Sequence, residues 1–537
     1  MTTASLGSFD YVIVGAGSAG CVLANRLSVD PAIKVCLIEA GGTDWYPWIH
    51  IPVGYFYTFD NPRTDWRFRT EPDPGLDGRS IKYPRGRVLG GSSSINAMVY
   101  IRGQARDYDG WRQQGNVGWS WNDVLPYFKK SEDQARGASE AHGVGGELRV
   151  EDLRASWEVL DRFCEAAVQS GIPRTQDFNT GDNEGVGYFQ VTQKNGLRMS
   201  TARAFLRPAR RRPNLTVISS AHATRICFKG KRAVGLELRR DGVDSYVAAD
   251  RELILAAGAI GSPQLLMLSG VGDAGALNEF GIDSVHHLAG VGANLQDHLA
   301  VRTMFKVSNT RTLNEQASSL FGRAAMGLEY LLFRTGPLTI PPALVNAFVK
   351  SHPSKETPDL QFVCYPLTYD TTGDPPHTFP GFTGGVCLLH PESRGSITLK
   401  TADPFAAPAI KLNFLSTVAD RETVVAGVKA MRKVCAAPAL QEFSPQEFAP
   451  GEGFQSDDEL MSGISRIGAT IFHPVGTCKM GQGDQAVVDA RLRVHGIEGL
   501  RVVDASIMPT IISGNTNATA IMIGEKASDM ILEDRRV

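Results

Sequence analysis

Apolar positions along the chain gather into short continuous runs separated by glycine-rich turns. FDYVIV (Phe9–Val14) is a continuous β-branched and aromatic run, the pattern of a parallel strand buried on both faces. GAGSAG follows at once, then CVLANRLS with helical apolar spacing, then KVCLIEAG. Phe9–Ala40 therefore reads strand, turn, helix, strand. LILAAGAIGSPQLLMLSGVG (Leu253–Gly272) predicts a buried strand, a small-residue turn and an apolar helix ended by Gly-Val-Gly. In LRVVDASIMPTIISGNTNATAIMIGEKASDMI a strand ends in Asp504, a loop carries Asn515 and Asn517, and a helix closes the chain. The stretches 155–199 and 309–463 are less glycine-patterned and alternate strand-like with helical runs.

Composition narrows the class. A chain of 537 residues exceeds one ordinary core, so two domains, or one with large insertions, are expected. Net charge is −2 and no long basic run occurs, which argues against nucleic acid as a partner. RPARRRP (Arg207–Pro213) reads as a solvated loop or helix end. The N-terminus has no basic n-region and no apolar stretch of signal length, and no segment is apolar enough for a spanning helix. A cytoplasmic protein is expected, with peripheral contact at the inner membrane left open. The eight cysteines include no pair at zinc or redox spacing, and Cys478 has no histidine at ligand spacing, so no metal is expected.

Candidate chemistry begins at the first turn. Gly15 allows the tight turn, Gly17 lets backbone approach a pyrophosphate, and Gly20 lets helix pack close on strand. The helix start at Ser18 and Ala19 then offers unpaired N–H groups to phosphates. Glu39, followed by Ala40, ends the second strand where a carboxylate can accept from ribose hydroxyls. This predicts dinucleotide binding without separating FAD from NAD. In YPRGRVLGGSSSINAMVYIRG (Tyr83–Gly103), Gly90-Gly91 and three serines form a loop able to wrap a phosphate or a flavin edge. HPVGTCKMG (His473–Gly481) leaves His473 open as a catalytic base or a satisfied core histidine.

These runs resemble the glucose–methanol–choline (GMC) oxidoreductases over nearly the whole chain. GRVLGGSSSINAMVYIRG looks like the family's first signature and GAIGSPQLLMLSGVG (Gly258–Gly272) like its second. The resemblance implies an α/β fold: a Rossmann-type FAD-binding domain formed by 1–154, 200–308 and 464–537. Interleaved with it, 155–199 and 309–463 would form an α+β substrate domain, an antiparallel sheet flanked by helices. The aromatic segment 46–69 is a candidate lid, with a packed surface loop as the other reading. By the same resemblance, Arg87, Gly90, Gly91, Ser92, Ser93, Ser94, Asn96, Ala97 and Met98 lie along the FAD pyrophosphate and isoalloxazine. Ala223 meets adenine, and Asp504, Ala505 and Thr516 border the FAD midsection and ring. Ile95 stands where some relatives carry a histidine that tethers FAD, so non-covalent FAD is expected.

The resemblance also assigns His473 as the base and Asn515 as its partner, flanking the hydroxyl of a small alcohol. An uncharged primary alcohol is favoured over choline and a sorbose-like sugar, and Phe472, Ile471, Phe362 and Tyr365 are candidate pocket residues. A quinone or similar acceptor is favoured over O₂ and peroxide formation. A light-driven fatty-acid decarboxylase and a non-catalytic flavoprotein are the alternatives from other classes; retention of both His473 and Asn515 argues against each. The sequons at Asn214 and Asn517 read as accidental.

Overall fold

The strand Ala4–Val14 lies at the centre of the first of two seven-stranded sheets among the described residues. The computed structural model describes residues 4–370 and 374–536. Positions 1–3, 371–373 and 537, which fall in the expected segments 1–154, 309–463 and 464–537, lie outside the described residues. Val35–Ile38 pairs parallel with one side of the central strand and Val243–Leu255 with the other. Leu215–Ile218 and Leu500–Val502 extend the parallel layer on either flank. The first half of Val243–Leu255 instead pairs with an antiparallel ribbon, Ala221–Lys229 and Arg232–Arg240. Tyr11 to Val14 are buried, as expected for a strand with helices on both faces.

The second sheet is antiparallel, in the spatial order Gln446–Ala449, Leu299–Lys306, Gly381–Leu388, Leu360–Tyr365, Val345–Val349, Gly185–Tyr188. The helix Val418–Cys435 covers one face. Gly427 is what lets it lie so close, since a Cβ there would sit 2.5 Å from Val386 Cγ1. Two strands fall on the other side of the expected division. Leu299–Lys306 and Ala469–Thr470 belong to the segments assigned to the nucleotide part, yet they hydrogen-bond in the second sheet. Their carbonyls and amides find partners there, and strand pairing fixes sheet membership more strongly than position along the chain.

The segment 46–69 folds as short helical turns, Pro47–His50, Pro52–Gly54 and Tyr55–Thr58, with Trp48 stacked on Tyr57 at 4.1 Å. It is packed inward: Arg198 Nε donates to the Ile49 carbonyl at 2.9 Å. RPARRRP begins in a helical turn, as expected, and Arg212 donates to the Ser28 hydroxyl. The Asn214 amide nitrogen is occupied by the carbonyls of Ser28, Asp30 and Ile33. All eight cysteines are free, no helix is long and apolar enough to cross a membrane, and no cluster could hold a metal, among the described residues.

A buried polar network braces the extended segment leading out of the serine loop. Arg102 and Glu132, both without exposed side chain, pair at 2.8 Å. His142 lies between Glu132 at 3.0 Å and Asp177 at 2.8 Å. Burial alone would lower the His142 pKa, but the two carboxylates outweigh it and push it up to about 9. The raised value means the folded state binds the proton more tightly than the unfolded chain. The stabilisation is complete below the ordinary imidazole pKa of about 6.5 and is lost as pH rises through about 9. In thermal scans, the Tm difference between wild type and His142→Gln should be large at pH 6 and close by pH 10. A constant difference would overturn this reading.

Candidate active site

One continuous cavity runs from the first turn, under the serine loop, to the inner face of the second sheet. At its far end the helix Ser18–Leu27 starts from Gly17 with no side-chain cap, so its first N–H groups face the cavity. The closing helix Asn517–Asp534 also starts uncapped, and Thr516, Asn517 and Ala520 line the same space. Two partial positive charges therefore converge on it. Ser18 Oγ donates to Asn517 Oδ1 at 2.7 Å, locking the two helix starts together. Gly15 adopts φ +103°, and a Cβ on Gly17 would meet only the Ala256 carbonyl, 3.8 Å away, so the space over Gly17 is open cavity.

Glu39 accepts from the Ala16 and Gly41 amides at 2.9 and 2.8 Å. Burial dominates and raises its pKa to about 7, against those two bonds and Arg87, which lower it. Arg87 lies over the Trp66 ring with its buried Nε unpartnered. Asp504 accepts from Gly258 N, Ser262 Oγ and Ser506 N, fixing the turn after the strand Val243–Leu255. Of the expected cofactor residues, Gly15, Gly17, Ser18, Ala19, Glu39, Ala40, Gly91, Ser92, Asn96, Ala97, Met98, Ala223, Asp504, Ala505, Asn515 and Thr516 line the cavity. Ile95 does too, with no nucleophile to offer.

Five expected residues do not line it. Ser93 Oγ bonds to the Gly90 carbonyl and the Thr201 hydroxyl, and Ser94 Oγ donates to the Leu89 carbonyl, so both hydroxyls turn inward to hold the loop's shape. Gly20 and Gly90 act through backbone fit, and Arg87 lies behind the lining. The loop is a short 3-10 turn, Gly91–Ser94, which points successive side chains in different directions. Of the substrate-side candidates, Tyr365, Ile471 and Phe472 line the cavity. Phe362 does not: in Leu360–Tyr365, residues 361, 363 and 365 face the cavity, and 362 points to the opposite face.

His473 and Asn515 meet at the cavity's centre, with Asn515 Nδ2 3.1 Å from His473 Nε2. His473 Nδ1 lies 3.0 Å from Nδ1 of His298, whose Nε2 lies 3.1 Å from the Leu389 carbonyl. A carbonyl can only accept, so His298 carries its proton on Nε2 and its Nδ1 is the acceptor. His473 therefore carries its proton on Nδ1, and its Nε2 lone pair, at the cavity wall, accepts from Asn515 Nδ2. The His473 backbone N–H donates to Asp297 Oδ1 at 2.7 Å. Asp297 Oδ2 accepts from Thr470 and from Tyr83, the latter at 2.6 Å. Arg85 donates to the Phe472 carbonyl and to Ser92 Oγ, fixing the residue before the histidine, which sits at φ +68°.

Burial lowers the His473 pKa well below its ordinary value, with the charges of His298 and Arg85 adding to it, and lowers that of His298 to about 4. Both rings are neutral near pH 7. His298, Asp297 and Arg85 escaped sequence reasoning. The Asp-His pair in GVGANLQDH was the available signal, but nothing local shows that it faces a histidine 175 residues later.

A cavity running from a dinucleotide turn to a neutral imidazole paired with a carboxamide can seat a dinucleotide cofactor beside a proton acceptor. Comparison with known proteins agrees. A GMC oxidoreductase family model matches residues 9–300, and a second matches residues 391–524. An alcohol dehydrogenase (acceptor) of Pseudomonas putida is 46% identical over 528 residues, 98% of this chain and 96% of that one. Choline dehydrogenase, mitochondrial, of Homo sapiens is 43% identical over 532 residues, 97% and 89% of the two chains. Pyridoxine 4-oxidase from Mesorbium loti matches with a TM-score of 0.89 and 31% identity, covering 98% of this chain and 99% of that one. A variant of Aspergillus oryzae formate oxidase matches at 0.92 and 27%, over the full length of both. The chain belongs to the GMC oxidoreductases, and its cofactor is FAD. The uncapped helix starts, the open face of Gly17 and the unpartnered buried Asn515 Oδ1 fit that group.

Proposed function

We propose that this chain oxidises a primary alcohol to the aldehyde, with His473 as base and Asn515 as its partner, and passes the electrons to a quinone or similar acceptor. The observation that carries the reading is the hydrogen-bond chain Leu389–His298–His473–Asn515, which keeps His473 Nε2 unprotonated at the cavity wall, held only by the Asn515 amide. When bound, FAD supplies the acceptor for the pair of electrons leaving the alcohol carbon. His473 Nε2 takes the hydroxyl proton once the substrate hydroxyl replaces the Asn515 amide as its partner, and the Nδ1–H bond to His298 steadies the ring as it becomes charged. The second Nδ2 proton of Asn515 is free to hold the substrate oxygen as negative charge grows there. Phe59, Phe472 and Tyr55 wall off this part of the cavity and exclude water.

In this proposal the turn Gly15–Gly20, the serine loop, Ala223 and the C-terminal loop hold FAD without a covalent bond, while the second sheet roofs the substrate. The acceptor assignment draws on the Pseudomonas relative, and the oxidases among the structural neighbours support O₂ as the second reading. Anaerobic mixing with a panel of alcohols tests both. Primary alcohols should bleach the flavin band near ~450 nm, and no bleaching by any alcohol would sink the proposal. Peroxide release in air at the rate of turnover would move the enzyme to the oxidases.

A further inference from the structure

Resting on the alcohol-oxidation reading, we infer that the substrate carries a carboxylate remote from its oxidised hydroxyl, and that Arg302 receives it. Register places the residues. Arg302 on Leu299–Lys306 lies opposite Gly385, Gly385 opposite Val363, and Val363 opposite Asn346, in one row across the second sheet. Gln361 lies two residues along on the same face as Val363, and the whole set lines the cavity. At Gly385 the row has no side chain, so the Arg302 guanidinium is not capped from that side.

Four buried polar atoms on this face have no hydrogen-bond partner: Arg302 Nη1, both amide atoms of Asn346, and Gln361 Oε1. Buried polar atoms are nearly always paired, and a cluster of exceptions over one cavity marks where a polar guest belongs. Charge defines the guest further. Among the described residues Arg302 has no ion pair, its surroundings being Tyr369, with the guanidinium 5.2 Å from the ring centre, and Tyr365. Both tyrosines favour its charged form strongly enough to outweigh burial. The carboxylates that line the cavity, Glu39 and Asp504, are bonded to backbone amides of the first sheet's turns. The substrate end thus holds a cation with no ion pair and no anion, which opposes a quaternary ammonium and suits a carboxylate that accepts from Arg302 Nη1 and Asn346 Nδ2, the two free donors there.

The test uses the FAD-loaded enzyme with straight-chain ω-hydroxycarboxylates and the 1-alkanols of matching length. At the best length the hydroxycarboxylate should exceed its alkanol in kcat/KM by ~10- to 100-fold, and Arg302→Gln should abolish that margin while changing the alkanol less than ~3-fold. The alkanoate lacking the hydroxyl should inhibit wild type competitively and the variant weakly. Should the variant fail to fold, the wild-type comparison and the inhibition decide alone. Equal turnover of both series, or equal losses on both in the variant, would overturn the role of Arg302 while leaving alcohol oxidation standing. Turnover of neither series, with flavin bound, would instead count against the oxidation reading itself.

Discussion

Replacing His473 by alanine or asparagine should lower kcat/KM for the alcohol by ~10²- to 10⁴-fold, the range for a positioned general base. FAD content and Tm should stay near wild type, because the side chain bonds only to His298 and Asn515, and the backbone amide that anchors the loop to Asp297 survives. Absorbance of the bound flavin, Tm and steady-state kinetics on one preparation check this. Loss of flavin together with activity would reassign His473 to structure. The pH profile carries the same claim. With the His473 pKa depressed, chiefly by burial, the base stays unprotonated below the ordinary imidazole value, so the activity plateau extends to the acid side of about pH 6.5. Stability moves the other way. An imidazole held neutral in the fold binds its proton more readily once unfolded, so stability falls as pH drops below about 6.5. The acid limb should therefore track unfolding, not titration of the base.

The second large effect is expected at the first turn. A Cβ on Gly20 would lie 1.9 Å from the Gly15 carbonyl oxygen, a backbone atom that cannot move without opening the turn. Gly20→Ala should cost on the order of 3 kcal/mol or more and yield protein without FAD. Gly17→Ala has no such clash in the protein and intrudes only on the cavity, so it should lose FAD while the apoprotein keeps its Tm. Gly42→Ala, whose Cβ would meet nothing within 4 Å, serves as the control. A Gly20→Ala protein with normal flavin content would show that the turn tolerates a shift, which this packing rules out.

Local grammar made much of the molecule legible. The run FDYVIV and the turn GAGSAG specify their own strand, turn and helix start, because the chemistry of each lies within a few residues. The same holds for the strand and turn before Gly258, and for the loop that delivers Asn515 to the closing helix. The roles of His473 and Asn515 rested on family resemblance, and the structure supplies their geometry.

What lay beyond the sequence was the choice of face and partner. Ser93 and Ser94 look like cofactor ligands in a row of hydroxyls, yet a tight turn rotates them toward Gly90 and Leu89. Phe362 and Val363 are neighbours in an apolar run, and only register with Gly385 and Asn346 decides which one meets the cavity. The strand Leu299–Lys306 joined the sheet that its pairing required, not the one its position suggested, and so carried Arg302 to the cavity. His298 reached His473 by the same route. The chain by itself determined which backbone segments form and where a dinucleotide turns. The tertiary structure alone decided which nitrogen of His473 keeps its lone pair and which cation stands in the cavity without an ion pair, because both follow from pairings between residues far apart in sequence.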